Sequence, residues 1–315
     1  MDWMLYHYAV SPYAEKARLM LGFKQLAWGS IEVPVVPPRA GLQNVLGAFR
    51  RIPILQRGAD FFCDTRLLPH VLDSVHPQPP LLPPHARALS TLIAQWAEPR
   101  VFLMIGAVRF ESREDLQALD ALGVAPGEFL RDRAPFMAPA VDTRRSATTR
   151  ASARDHVVSY LELLESLLAN SQPFLCGMEP CAADFSAYHT LWWLRAPPRR
   201  ELLLQRFVLL GAWADRMAAI GHGRPQPCSM DDGLSAARHA QQASAWKPDW
   251  LAVEDARLGR EVTIQPDDYG RDPLIGTLSA VSDRHVTLTR AVPDVGWVRL
   301  HFPKVGYEVV PAEAA

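Results

Sequence analysis

Ser11-Pro12-Tyr13-Ala14 places a hydroxyl directly before a proline, and a proline inside the first turn suits a helix start. Free backbone N–H groups and the helix dipole gather partial positive charge there. The Ser11 hydroxyl can therefore cap the helix or donate a hydrogen bond to an anionic atom held at that end. Tyr13 is the alternative donor, with Tyr6 and Tyr8 as further hydroxyls nearby. Asp64-Thr65 brings a carboxylate and a hydroxyl to a second helix start, where a carboxylate ordinarily caps free N–H groups. Other kinds of chemistry find no support. There is no glycine-rich phosphate loop or dinucleotide fingerprint, and the histidines lack metal-ligand spacing. Cys176 and Cys181 have no matching second pair, so they read as free buried thiols and not as zinc ligands.

The surrounding elements must position these groups. Residues 3–10 are β-prone, and Tyr13 to Leu21 has apolar residues at helical spacing (Ala14, Ala17, Leu21) before Gly22 as a C-cap. A strand at 29–33, a weak helix at 42–49, strands at 52–56 and 61–63 about a turn at 57–60, and a helix from Asp64 to Leu72 or Val75 complete the order β-α-β-α-β-β-α. Pro69 falls inside that last helix, against its regularity. Residues 77–84 are rich in proline and read as a stiff linker. From 86 to about 222 the pattern is helical, with segments at 86–108, 154–169, 181–194 and 202–220 and a less regular passage at 111–140. After a polar stretch, five short alternating runs at 261–265, 276–281, 285–290, 297–302 and 306–310 predict a small antiparallel barrel-like unit. Its core is read as Ile264, Leu278, Val286, Leu288, Val298, Leu300 and Val309.

The expectation is a multidomain α+β protein: residues 1–80 an α/β unit, 86–225 all-α and 250–315 a small β unit. A chain of 315 residues with 49% apolar and 21% charged residues can bury a substantial core. A net charge of −1, with no long basic tract, argues against nucleic acid as the main partner. The first residues lack a secretory pattern and no apolar run suggests a membrane span, so the expected location is the cytoplasm. Four cysteines in so long a chain make no disulfide framework, in keeping with a reducing compartment.

Residues 1 to about 225 resemble the glutathione S-transferase family. The likeness rests on the order and spacing of Ser11-Pro12-Tyr13-Ala14 after the first strand, Ile52-Pro53 before another, and Asp64-Thr65 at the next helix start. In addition, Cys181-Ala182-Ala183-Asp184 stands where the family has a Ser/Thr-x-x-Asp capping box, here with Cys in place of the N-cap residue. The resemblance implies a thioredoxin-like fold for residues 1–80, a cis bond at Pro53, glutathione as substrate or ligand, and no metal. It gives Ser11, or alternatively Tyr13, a hydrogen bond to the glutathione sulfur and Ile52 a backbone pairing with the cysteinyl part. Asp64 and Thr65 would hold the γ-glutamyl end, and Arg50 or Arg51 the glycyl carboxylate. A second substrate, a small electrophile, would meet Trp96, Phe102, Ile105 and Arg109, which also read as core. A homodimer is implied as well. The competing reading is a non-catalytic binding or assembly module that engages a protein partner through the C-terminal β unit. A glutathione-dependent reductase is disfavoured, because it needs a cysteine at position 11 or 14 to form the mixed disulfide.

Overall fold

The computed structural model describes residues 1–109, 125–137, 146–170, 172–195, 206–243, 245–268 and 270–312. They group into two compact units, one of Met1–Ala17, Gln25–Val75 and Gly223–Ala315, the other of Arg18–Lys24 and His76–His222. The antiparallel C-terminal strands are present as expected, but they share the first unit with the N-terminal residues and do not stand apart.

The first unit opens with β1 (Met4–His7), α1 (Pro12–Phe23, whose later residues group with the second unit), β2 (Ala27–Glu32), α2 (Leu42–Leu46), β3 (Ile54–Arg57), β4 (Asp60–Phe62) and α3 (Leu68–Val75). β1 pairs parallel with β2 and antiparallel with β3, which turns back into β4. The helix expected from Asp64 begins four residues later, after a turn in which the Leu67 N–H donates to the Asp64 carbonyl. That shift accounts for Pro69: it lies in the first helical turn, where no N–H is needed.

Two elements escaped the sequence reading. β5 (Arg224–Pro227) adds to β2 in parallel, with the Arg224 and Cys228 N–H groups donating to the carbonyls of Leu26 and Ser30. Pro225 and Pro227 occupy the alternate positions, so an edge strand accommodates both without losing a ladder donor. The helix α10 (Met230–His239) follows β5, begun by a Ser229–Asp232 capping box. It lies close over β1. A Cβ on Gly233 would stand 2.2 Å from the Tyr6 hydroxyl oxygen, so only glycine permits the approach.

The remaining strands are β6 (Glu261–Pro266), β7 (Leu274–Val281), β8 (His285–Val292), β9 (Gly296–Pro303) and β10 (Tyr307–Pro311). They pair antiparallel in the order β10-β6-β7-β8-β9, and β9 then pairs parallel with β4, giving one ten-stranded sheet among the described residues. The five C-terminal strands form the antiparallel sheet expected, and that sheet also continues the first one through β4. The physical reason is the open edge of β4, whose backbone groups need partners: Arg299 N–H donates to the Ala59 carbonyl, and Cys63 N–H to that of His301. One core runs across the junction, from Tyr6, Phe49 and Phe61 to Leu288, Leu300 and Phe302. Of the seven core positions read from the sequence, six are buried and Val309 packs partly buried against the same core.

The opposite side of the junction is polar. Asp60 on β4 accepts from Arg299 Nε at 2.6 Å and Nη2 at 3.0 Å and from His301 Nε2 at 2.8 Å, while the Thr287 hydroxyl lies 3.0 Å from His301 Nδ1. A carboxylate only accepts, which places the His301 proton on Nε2. His285 stacks near His301, with Trp246, Trp250 and Phe62 against the two imidazoles. Burial, reinforced by His301, brings the His285 pKa down to about 4, against the opposing pull of Asp283. Burial lowers His301 too, opposed by Asp60.

In the second unit, α4 (Arg87–Trp96) and α5 (Phe102–Arg109) replace the expected unbroken helix, with a π-helical turn at Ala97–Val101 between them. Pro99 lies in that turn; it has no N–H and would crowd the carbonyl four residues back, which a widened turn relieves. α6 (Pro126–Met137) falls in the passage read as irregular, the rest of which lies largely outside the described residues. α7 (Ser146–Leu168), α8 (Ala182–Arg195) and α9 (Val208–Ala219) follow.

At the start of α8 the fully buried Asp184 carboxylate accepts from the N–H groups of Cys181 (2.9 Å) and Leu175 (2.8 Å) and from Trp213 Nε1 (2.8 Å). The cap oxygen that Cys181 cannot provide comes from α4, where Ser90 Oγ accepts the Ala183 N–H at 3.1 Å. Asp184→Ala leaves three buried donors without their acceptor and should cost about 3–5 kcal/mol. An unchanged urea midpoint would contradict this.

A histidine whose folded pKa is depressed stabilises the fold while neutral. Its contribution is complete above about pH 6.5 and is lost as pH falls through that value toward the folded pKa. The melting temperature should therefore fall between about pH 6.5 and pH 4, and His285→Gln should flatten that part of the profile. A profile identical to that of the parent would remove His285 as the cause.

Candidate functional site

Ser11 is the N-cap of α1. Its carbonyl accepts the Glu15 N–H at 2.9 Å and its Oγ accepts the Ala14 N–H at 3.1 Å. The second bond orients the oxygen and uses it as an acceptor, so the hydroxyl proton points elsewhere. Ser11 is 2% exposed. Among the rival hydroxyls, Tyr6 is buried and donates to Gln56 Oε1 at 2.6 Å, and burial holds its phenol neutral. Tyr8 and Tyr13 are half-buried.

The Ile52–Pro53 bond is cis, with Pro53 buried and Ile52 half-buried just ahead of β3. Lys16, one turn beyond Ser11 on α1, donates through Nζ to Thr65 Oγ1 at 3.4 Å, and both side chains are buried. This contact ties the helix start carrying Ser11 to the turn carrying Asp64.

Asp64 is already engaged on both oxygens. Oδ1 accepts from the Arg66 N–H at 2.8 Å and Nε at 3.1 Å, and Oδ2 from Arg66 Nη2 at 3.0 Å and the Tyr307 hydroxyl at 2.9 Å. Burial alone would raise its pKa, but the charge and hydrogen bonds of Arg66, with the charge of Arg51, hold it well below the ordinary carboxylate range. Burial and the Asp64 charge keep the Tyr307 phenol protonated and therefore a donor. Arg51 pairs with Asp268 and, like Arg66, lies over the Tyr307 ring, at 5.8 and 5.9 Å from its centre. Gly306, at φ +93°, leaves the space: a Cβ there would stand 2.5 Å from the Arg66 guanidinium. The carbonyl of Arg50 accepts from Arg39 Nη1 at 2.7 Å.

The structure thus brings Thr65 to α1 and surrounds Asp64 with Arg51, Arg66 and Tyr307. Of these, Lys16, Arg66, Asp268 and Tyr307 were not singled out from the sequence. Arg66, two residues from Asp64, was legible as its local partner, whereas Tyr307 arrives from 243 positions away.

The four residues expected to meet an electrophile belong to the second unit, where much of their surface is used in packing. Ile105 and Arg109 are buried, Phe102 stacks on Trp193 and His189 with ring centres 5.2 and 6.0 Å apart, and Trp96, 38% exposed, meets Tyr160 edge-on. Among the described residues no group of three His, Cys, Asp or Glu side chains can hold a metal ion, and no helix is long and apolar enough to cross a membrane.

Two family models match the chain: the glutathione S-transferase N-terminal domain over residues 5–80 and the C-terminal domain over residues 116–216. No curated protein matches it. Among solved structures, a GST-like protein from Pseudomonas syringae is 28% identical, with a TM-score of 0.79 over 98% of this chain and 99% of that one. A beta-etherase from Sphingobium is 17% identical (TM-score 0.53, 78% of this chain and 100% of that one). A Tau class glutathione S-transferase from mango is 19% identical (TM-score 0.52, 77% and 99%). The last two share the fold over part of this chain, whereas the Pseudomonas protein aligns over nearly all of it, C-terminal strands included. With both of its domain models matched in order, the chain belongs to the glutathione S-transferase family.

Proposed function

We propose that the first unit binds glutathione and that Ser11 stabilises its thiolate for attack on a small electrophile. The observation that supports this reading is the Ser11–Ala14 bond, which fixes the oxygen at the N-terminus of α1 while leaving the hydroxyl proton to be donated. A thiol with a pKa of about 8.5 is mostly protonated at neutral pH, and a hundredfold gain in the thiolate ratio needs about 2.7 kcal/mol. A hydrogen bond to a charged acceptor together with the helix terminus is of that size. The Ile52 backbone would pair with the cysteinyl residue, and Asp64 and Thr65 would receive the γ-glutamyl end. The sulfur then forms its bond to an electrophilic carbon as the leaving group departs, or as a proton is added.

The Asp64 cluster favours a second reading, a non-catalytic module. The Tyr307 hydroxyl already donates where the glutathione ammonium would. In the first reading that hydroxyl and the ammonium compete, so glutathione binds weakly to the wild-type chain.

Calorimetric titration with glutathione separates the two. For a transferase, the wild-type chain binds and Tyr307→Phe binds about three- to tenfold more tightly, a change of roughly 1 kcal/mol. Ser11→Ala still binds, but the thiol pKa of the bound tripeptide, followed by thiolate absorbance, rises by about one or more. Absence of binding at millimolar glutathione in both the wild type and Tyr307→Phe would leave the module.

A further inference from the structure

Cys176 and Cys181 are left unused by the transferase reading. Cys176, partly exposed, lies in the turn closed by the Phe174–Gly177 bridge, and Cys181 is buried immediately before α8. One carboxylate holds both segments: the two oxygens of Asp184 accept the N–H of Leu175, next to Cys176, and the N–H of Cys181 itself. Ser90 Oγ lies 3.6 Å from the Cys181 sulfur, and the two thiols are close enough to shift each other's ionisation. A partly exposed thiol therefore lies near a sheltered one, with both segments tied to Asp184.

We propose that Cys176 and Cys181 form a redox-active dithiol whose substrate is a low-molecular-weight disulfide, with Cys176 as the attacking thiolate and Cys181 as the resolving thiol. The direction of attack follows from the environment. The hydrogen bond from Cys181 pulls the Cys176 thiol down, against burial and the nearby Asp184 charge. The same bond, burial and Asp184 push the Cys181 thiol well up, against a smaller pull from Ser90. An accessible thiol with a lowered pKa is the reactive one of such a pair. The other cysteines are placed differently: Cys63 is buried, with burial raising its pKa, and Cys228 belongs to the first unit.

With glutathione disulfide, the Cys176 thiolate attacks one sulfur, forming a Cys176–glutathione bond and breaking the bond between the two glutathiones. The departing thiolate takes up the proton that Cys176 released. Cys181 then attacks the Cys176 sulfur, its proton passing to the second departing glutathione. Two protein thiols are oxidised to one disulfide, and one small disulfide is reduced to two thiols.

The test is incubation of the folded full-length chain with glutathione disulfide, followed by blocking of free thiols and non-reducing peptide mapping. The wild type should show a Cys176–Cys181 link, two hydrogens lighter, with no glutathione retained. Cys181→Ser supplies a good N-cap residue, so α8 keeps its start, and it should trap one glutathione on Cys176. Cys176→Ser should leave Cys181 unmodified. Free Cys176 and Cys181 in the treated wild type would overturn the proposal whatever the variants do. So would preferential linkage through Cys228 or glutathione trapped on Cys181.

Discussion

The parallel pairing of β4 with β9 is the constraint on which the first unit depends. It is short, three residue pairs, and Asp60 pins it by taking Arg299 and His301 on one carboxylate. Because the pairing is parallel, no turn can make it; the two strands must be brought together by everything between them. Once formed, it fixes the register of β9 and, through the antiparallel ladder, of β8 and β7. A slip of one residue would turn Leu300 and Phe302 out of the core and His301 into it. The charged and aromatic contacts on one face and the apolar contacts on the other therefore specify the same alignment.

Asp64 and Tyr307 meet because of that alignment. β9 leads through Gly306 into β10, and the turn between them carries the Tyr307 hydroxyl to Asp64 and seats Arg66 over the glycine. Here the acidic turn is completed by the protein itself, with the Tyr307 hydroxyl as an internal neutral donor to Asp64.

Much of this was readable from local chemistry. Ser11-Pro12 announced a capped helix, and the alternation in residues 261–310 announced strands, because each signal is confined to a few neighbouring residues. Pro225 and Pro227 concealed β5, since a proline pair argues against a strand unless its unpaired side is known. Pro69 argued against a helix whose first residue had been placed too early. The Asp60–Arg299 and Asp64–Tyr307 contacts had no sequence signal at all: the partners lie more than two hundred residues apart, and nothing local distinguishes an aspartate that caps a turn from one that also receives a distant hydroxyl.

The chain returns to its first sheet only after traversing the whole helical unit, and this has a consequence for synthesis. At about 5–20 residues per second, β4 waits roughly 10–50 s for β9 to be made. During that interval the edge of β4 is open to any extended segment nearby, as is that of β2 until β5 is made. The nascent thioredoxin-like half is thus a sheet with an exposed border until β9 leaves the ribosome.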